Sequence, residues 1–371
     1  MQIETLIYAY LAICCSMIVF NCVCVFVFRR RSRVLHRHSS HLEEQIRSQM
    51  DRLAAGESVE ESHQMFLQKK LRSTGNLLAF DETMERLLER CPEEAWRYLR
   101  EISSVFTYLA MENHYRSAMK TVYFAYIVKR YRIIEGKSIH VIMELMRKLL
   151  QEPSLYCRES ALQAIYSSGD CAAVVQALQT VDESGRFHHA KLLTDGLLNF
   201  RGEQRELADA LWRSFDSFSV PMRVVILDYI RFGGVGKHEE LLQLLADRRQ
   251  DDEVRFSCIR YFGRYPYEPA YPLLLSFAER AEDNRWEYAA IAATALSAYP
   301  GEHTVEVLKG ALNSSNWYIR FNAAKSLESF HLSYLALSDV MEGNDRYARE
   351  ILQYRLDMKN AREEEKEAAP V

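Results

Sequence analysis

The sequence is poor in the residues that break helices: its 371 residues include 14 Gly and 8 Pro. With 48% hydrophobic and 26% charged residues, that scarcity excludes collagen-like, low-complexity and disordered chains. Strand-like alternation is nowhere sustained. The net charge is −4, so there is no global basicity of the kind that phosphate contact requires. No CxxC pair occurs among the eight cysteines, which leaves zinc ribbons and thioredoxin-like redox motifs without support. Isolated cysteines at apolar helical positions read as small core residues in a reducing compartment. A Ser-His-Asp arrangement, a glycine-rich phosphate loop and a nucleophile elbow are also missing. Gly233-Gly234-Val235-Gly236 follows a helical stretch and reads as a helix stop. His36, His38 and His41 neighbour an arginine cluster, where a metal ion would meet cationic repulsion. No metal, cofactor or catalytic residue is therefore expected.

What is present is unevenly spread. Residues 1–28 carry −1, residues 29–52 carry +4 and the remainder carries −7. Thr5–Phe28 holds no charged side chain, and about 20 apolar residues suffice to cross a bilayer core as a helix. A cleaved signal peptide would need a positive leading segment and a shorter apolar run. Here Glu4 precedes the run and arginines follow it, so residues 1–28 read as a retained transmembrane anchor. The positive-inside rule then places the N-terminus outside and the rest in the cytoplasm. Arg29, Arg30, Arg31, Arg33 and Arg37 form a basic collar that could face anionic lipid, although setting topology alone would also account for it. Residues 29–75 read as collar and juxtamembrane stalk, with Leu42, Ile46, Met50 and Leu53 at helical spacing. Asp81 reads as the cap of the following helix, and Pro92 as the first turn of another.

A fixed period organises the rest. Starting from Arg158, one register recurs at Lys191, Arg223, Arg255, Glu287, Arg320 and Arg349, at spacings of 33, 32, 32, 32, 33 and 29. Residues one before, three after and seven after each anchor are nearly all apolar, which is one face of a helix. Four before it stand Ser154, Ser219, Asp251, Asp283, Asn316 and Asp345, residue types that cap helix N-termini. Phe187 breaks that column. A second amphipathic stretch precedes each capped helix. The unit is a helix–turn–helix of about 32 residues, too small to bury both faces unless units stack.

The segments Asp252-Glu253-Val254-Arg255-Phe256-Ser257-Cys258-Ile259 and Asn316-Trp317-Tyr318-Ile319-Arg320-Phe321-Asn322-Ala323-Ala324 resemble the HEAT-repeat family, including its short bacterial form also seen in phycobilisome-lyase-like proteins. The resemblance covers roughly 138–358. It implies an all-α solenoid. Upstream, 92–111, 113–134 and 138–151 read as longer helices outside the clean register, with 76–137 as an N-terminal helical cap, and 359–371 reads as a charged tail. It also implies that Arg158, Arg223, Arg255 and Arg320 form a structural ladder, while Glu287 and Lys191 depart from the pattern.

For function, the resemblance implies binding rather than catalysis. The di-iron hydroxylases of this fold need several His-Glu pairs, and here His238-Glu239 stands alone. The DNA glycosylases need a basic face, against a body of −7; no nucleic-acid partner is expected. Aromatic residues crowd 256–321. Residues one after the anchor point away from the apolar face, so Phe256, Tyr288 and Phe321, with Arg260 and Lys325 five after it, are expected to line a partner groove. The expectation is a non-catalytic scaffold that binds a protein partner at the cytoplasmic face of the membrane. The resemblance points to an accessory subunit of a membrane glycosyltransferase system. The alternatives are a lyase-like enzyme with an unrecognised groove site, or a structural membrane-surface protein.

Overall fold

Helices supply the regular structure of the described residues, and no strand forms among them. The computed structural model describes residues 2–113, 118–134, 140–280 and 285–368. The chain divides into two units, Met1–Phe187 with Asn199–Glu203 and His188–Leu198 with Gln204–Val371.

The first unit contains α1 (Gln2–Ala54), α2 (Glu61–Lys70), α3 (Thr74–Arg90), α4 (Pro92–Glu101), α5 (Ser103–Asn113), α6 (Ala118–Arg130), α7 (His140–Leu150), α8 (Leu155–Tyr166) and α9 (Cys171–Glu183). Among the described residues no helix is long and apolar enough to cross a membrane. The anchor expected at Thr5–Phe28 rests in part on side chains that lie outside the described residues.

The stalk expected over 29–75 needs correction. Helix α1 is unbroken to Ala54 and packs along α3 and α4. Its stripe of Ser39, Leu42, Ile46, Met50 and Leu53 is buried. These residues recur every three or four positions, so one face of the helix becomes core instead of a free connector. Ser39 shares a hydrogen bond with Thr83 (3.0 Å), and Glu43 pairs with Arg86 (3.1 Å).

Asp81 is a second correction. It lies inside α3, whose N-cap position is Ser73. Its carboxylate accepts hydrogen bonds from the hydroxyls of Tyr131 (2.6 Å) and Tyr123 (3.0 Å) and pairs with Arg130 (3.3 Å). Three donors from one neighbouring segment explain why an aspartate is tolerated mid-helix. Pro92 does open α4. The longer helix expected over 92–111 is broken at buried Ile102 into α4 and α5. Helices α5, α7 and α9 pack in sequence, as do α3, α6 and α8, so a two-layer alternation extends upstream of the repeats read in the sequence.

The second unit contains α10 (Ala190–Leu198), α11 (Gln204–Arg213), α12 (Val220–Gly233), α13 (His238–Ala246), α14 (Asp252–Arg264), α15 (Tyr271–Glu279), α16 (Trp286–Ala295), α17 (Glu302–Ala311), α18 (Trp317–Ser329), α19 (Tyr334–Met341) and α20 (Arg346–Ala368). The even-numbered helices form one layer, each packed on the next. The odd-numbered ones precede and cover them. Buried Val254, Cys258 and Phe262 of α14 and Ile319, Ala323 and Leu327 of α18 are the −1, +3 and +7 positions of the repeat.

Caps follow the sequence column in part. The carboxylates of Asp251 and Asp345 and the side-chain oxygen of Asn316 accept first-turn amides. Asp283 lies outside the described residues. Where Phe187 breaks the column, His189 Nδ1 accepts the amide of Lys191 (3.2 Å) at the start of α10. Gly234 ends α12 with φ 68°, a left-handed conformation that glycine adopts without strain.

Two devices hold neighbouring repeats at close spacing. The first is small residues. A Cβ on Gly263 would stand 2.9 Å from the Cα of Ala295, so α14 and α16 approach backbone to backbone. Across the next interface Asn322 donates to the Ala290 carbonyl (2.8 Å) and Ser326 to that of Ala293 (2.7 Å). The second is a set of tyrosine hydroxyls donating to carbonyls one repeat back. Tyr265 reaches Arg231 (3.0 Å) and Tyr299 reaches Phe262 (3.1 Å), while Tyr229 reaches Gln204 (2.9 Å) within its own repeat. The Arg231 and Phe262 carbonyls lie in the last turns of α12 and α14, where a helix leaves its carbonyls unpaired.

His63 gives the first unit a pH dependence. It is buried in α2, with Nε2 2.7 Å from the Tyr98 hydroxyl. Burial lowers its pKa from 6.5 to about 4, against an opposing pull from Glu60. The unfolded chain therefore takes up this proton first as pH falls. The contribution is complete above pH 6.5 and is lost on the way down to about 4. Urea unfolding from pH 7.5 to 4 is expected to show wild type losing ground to His63→Gln across that window. A constant difference between the two would mean the ring does not remain neutral.

Candidate partner-binding surface

The arginine positions come first, because they decide which aromatic rings remain exposed. Arg158, Arg223, Arg255 and Arg320 each reach back to the turn that precedes their own helix. Arg158 donates to the carbonyls of Pro153 (2.7 Å), Glu152 (3.1 Å) and Phe187 (2.8 Å). Arg223 donates to Phe218 (2.9 Å) and Asp216 (2.8 Å), and Arg320 to Ser314 (2.6 Å). Arg255 donates to the Leu245 carbonyl (3.0 Å) and to the Tyr288 hydroxyl (2.9 Å). A guanidinium offers five donors in a fixed fork, which suits several carbonyls converging at one turn. Rings complete the arrangement: Arg223 lies over Phe215, Arg255 over Phe277 and Tyr288, and Arg320 over Tyr347. Lys191 is exposed and pairs with Asp195 (3.8 Å), so it does not fill this role.

The groove expected from Phe256, Arg260, Tyr288, Phe321 and Lys325 does not form as a unit. Phe256 and Tyr288 are buried at 6% and 5% exposure and meet edge to face at 4.7 Å. The Tyr288 hydroxyl also donates to Asp252 (2.7 Å); burial, then that bond, pushes its pKa up to about 12. These two rings are inter-repeat packing. The reason is geometric. The +1 position does point away from the −1/+3/+7 face, but within the layer a helix is flanked by the next helix on that side. Arg260 is half-buried and Lys325 exposed. Phe321 belongs to a different cluster.

That cluster is the exposed aromatic surface. Trp317 and Tyr318 begin α18 at 50% and 56% exposure. They lie three and two before Arg320, where the first turn faces outward. Trp286, at the start of α16, stacks on Tyr318 at 5.4 Å. Trp317 meets Tyr318 edge-on at 5.2 Å and stacks on Phe321 at 4.9 Å. Arg355 lies over Phe321 at 5.3 Å and is itself paired with Glu328. Tyr347, 64% exposed, carries Arg320 on its ring at 5.2 Å. The first turns of α16 and α18 thus bring Trp286, Trp317 and Tyr318 into ring contact, and half-buried Arg320 links α18 to the Tyr347 ring of α20. The sequence signal was the aromatic pair immediately after the capping Asn316.

Of the collar, Arg29, Arg30 and Arg37 are exposed on α1, while the side chains of Arg31 and Arg33 lie outside the described residues. No group of three or more His, Cys, Asp or Glu that could hold a metal occurs among the described residues.

Replacing Arg255 tests the anchoring role. Arg255→Met leaves the Leu245 carbonyl and the Tyr288 hydroxyl without their donor. It is expected to lower unfolding free energy by roughly 2–3 kcal/mol, with Arg255→Lys intermediate because an ammonium cannot fork. Urea unfolding checks this, and a loss within about 0.5 kcal/mol would remove the anchor assignment.

Residues 238–328 match the family model for HEAT repeats. No curated protein matches the chain. The matched stretch contains Arg255, Arg320 and the aromatic turn of α18, and it is through these repeats that the chain is similar to the HEAT-repeat family.

Proposed function

We propose that this chain is a non-catalytic scaffold tethered at the cytoplasmic face of a membrane, where its HEAT repeats bind a protein partner. The observation that carries the binding part is the half-exposed pair Trp317 and Tyr318 on the matched repeats. Tryptophan and tyrosine dominate interface hot spots. Here Asn316 and the ring stack fix their positions in advance, which reduces the entropy lost on binding.

The tether is supported by a separate feature. Ile13, Met17, Ile18, Val19, Phe20, Val23, Val25 and Phe26 of α1 are all 49–68% exposed. An apolar surface of this extent needs a covering phase. The exposed Arg29, Arg30 and Arg37 follow it, where each basic residue near anionic lipid contributes about 1 kcal/mol. The partner class suggested by the family resemblance is a membrane glycosyltransferase, with this chain as its accessory subunit.

Fractionation of the full-length protein from its native cells tests the tether. It is expected in the carbonate-resistant membrane pellet, and a form lacking residues 1–28 in the supernatant. Equal distribution of the two would end the tether reading. Quantitative affinity purification with crosslinking tests the surface. A membrane protein retained by wild type is expected to fall at least about tenfold with Trp317→Ala plus Tyr318→Ala. Retention unchanged by the double substitution would dismiss that surface.

A further inference from the structure

A cavity of about 300 Å³ lies between the repeats of α14 and α16, bounded by Ala246, Leu273, Ser276, Phe277 and Tyr288. Four arginines line it: Arg248, Arg255, Arg280 and Arg285. No carboxylate lines it among the described residues. The nearest compensation is Asp252, which takes Arg285 (3.2 Å) and the Tyr288 hydroxyl (2.7 Å) from behind. Arg255 is 5% exposed and fixed by the Leu245 carbonyl and Tyr288. Arg248 and Arg280 are exposed and make no hydrogen bond or ion pair among the described residues.

This concentration of positive charge is out of keeping with the chain around it, since residues from 53 onward sum to −7. Like charges gathered at one cavity repel unless an anion joins them. The cavity is far larger than the roughly 30 Å³ that a water molecule occupies in the liquid, so it can take an oxyanion together with the group that carries it.

We propose that this cavity is a binding site for a phosphate monoester. A monoester carries close to two negative charges at neutral pH and three acceptor oxygens. Planar guanidinium forks match such oxygens in pairs. Arg255, held by its own turn, supplies a preset wall, and Arg248 and Arg280 close on the ligand from the exposed side. The site is separate from the Trp317–Tyr318 surface, so it stands or falls independently of the scaffold proposal.

The full-length protein should be titrated calorimetrically, at constant ionic strength, with inorganic phosphate and with a phosphoserine peptide alongside its unphosphorylated counterpart. Saturable binding of phosphate is expected, weakened at least about tenfold by Arg248→Gln plus Arg280→Gln. Lys325→Gln, an exposed cation outside the cavity, should leave it unchanged. Helical circular dichroism and melting temperature, equal in all three proteins, exclude misfolding. Tighter binding of the phosphopeptide than of phosphate, with no binding of its unphosphorylated form, assigns the phosphate to a partner's side chain. Equal affinity assigns it to a free phosphate ester. Absence of saturable phosphate binding, or binding that the double substitution does not weaken, overturns the proposal.

Discussion

The turn between two paired helices leaves carbonyl groups that neither helix can satisfy, and the second unit is built around supplying donors to them. In the repeats of Arg223, Arg255 and Arg320 a guanidinium reaches back to its own turn, and the hydroxyls of Tyr265 and Tyr299 reach back to the repeat before. Because an unpaired buried carbonyl is costly, these bonds fix where each helix pair ends. Apolar packing at −1, +3 and +7 supplies the bulk of the burial but is non-directional. The hydrogen bonds are what make each repeat stack in one register. Arg255 joins both functions, since it satisfies Leu245 and holds Tyr288 of the following repeat.

Much of this was legible in the sequence because a period repeated several times averages out local noise. The spacing of about 32, the apolar columns and several caps correspond to observed helices and buried residues. Where the reading went astray, the cause was a property of neighbours. Asp81 is a good N-cap residue type, but Tyr123, Tyr131 and Arg130, more than forty positions away, claim its carboxylate mid-helix. Phe256 and Tyr288 lie off the apolar face of their own helices yet are covered by adjacent ones. The arginine cavity draws on α14, α15, α16 and the turn after α13, so no single segment carries its signature.

The aromatic surface and the arginine positions are two sides of one arrangement. Phe256 and Tyr288, which meet edge to face beside the Arg255 guanidinium, are consumed by packing. Rings in the first turn, such as Trp317 and Tyr318, are presented outward and held by one another. The same residue type thus serves the core or the surface according to its place relative to the anchor, and position within the repeat matters more than aromatic content.

The unbroken course of α1 has a consequence for reach. From Phe28 to Ser39, the first buried residue of the packed segment among the described side chains, the backbone stays helical. At 1.5 Å per residue that interval is about 16 Å. A chain tethered through Thr5–Phe28 would therefore carry its first unit on a short strut instead of a flexible cord. The acidic body would sit about two Debye lengths from the lipid headgroups at physiological salt, far enough to escape most of their repulsion. Under such a tether, a strut of fixed length would also act as a gauge, admitting partners that lie within that narrow layer.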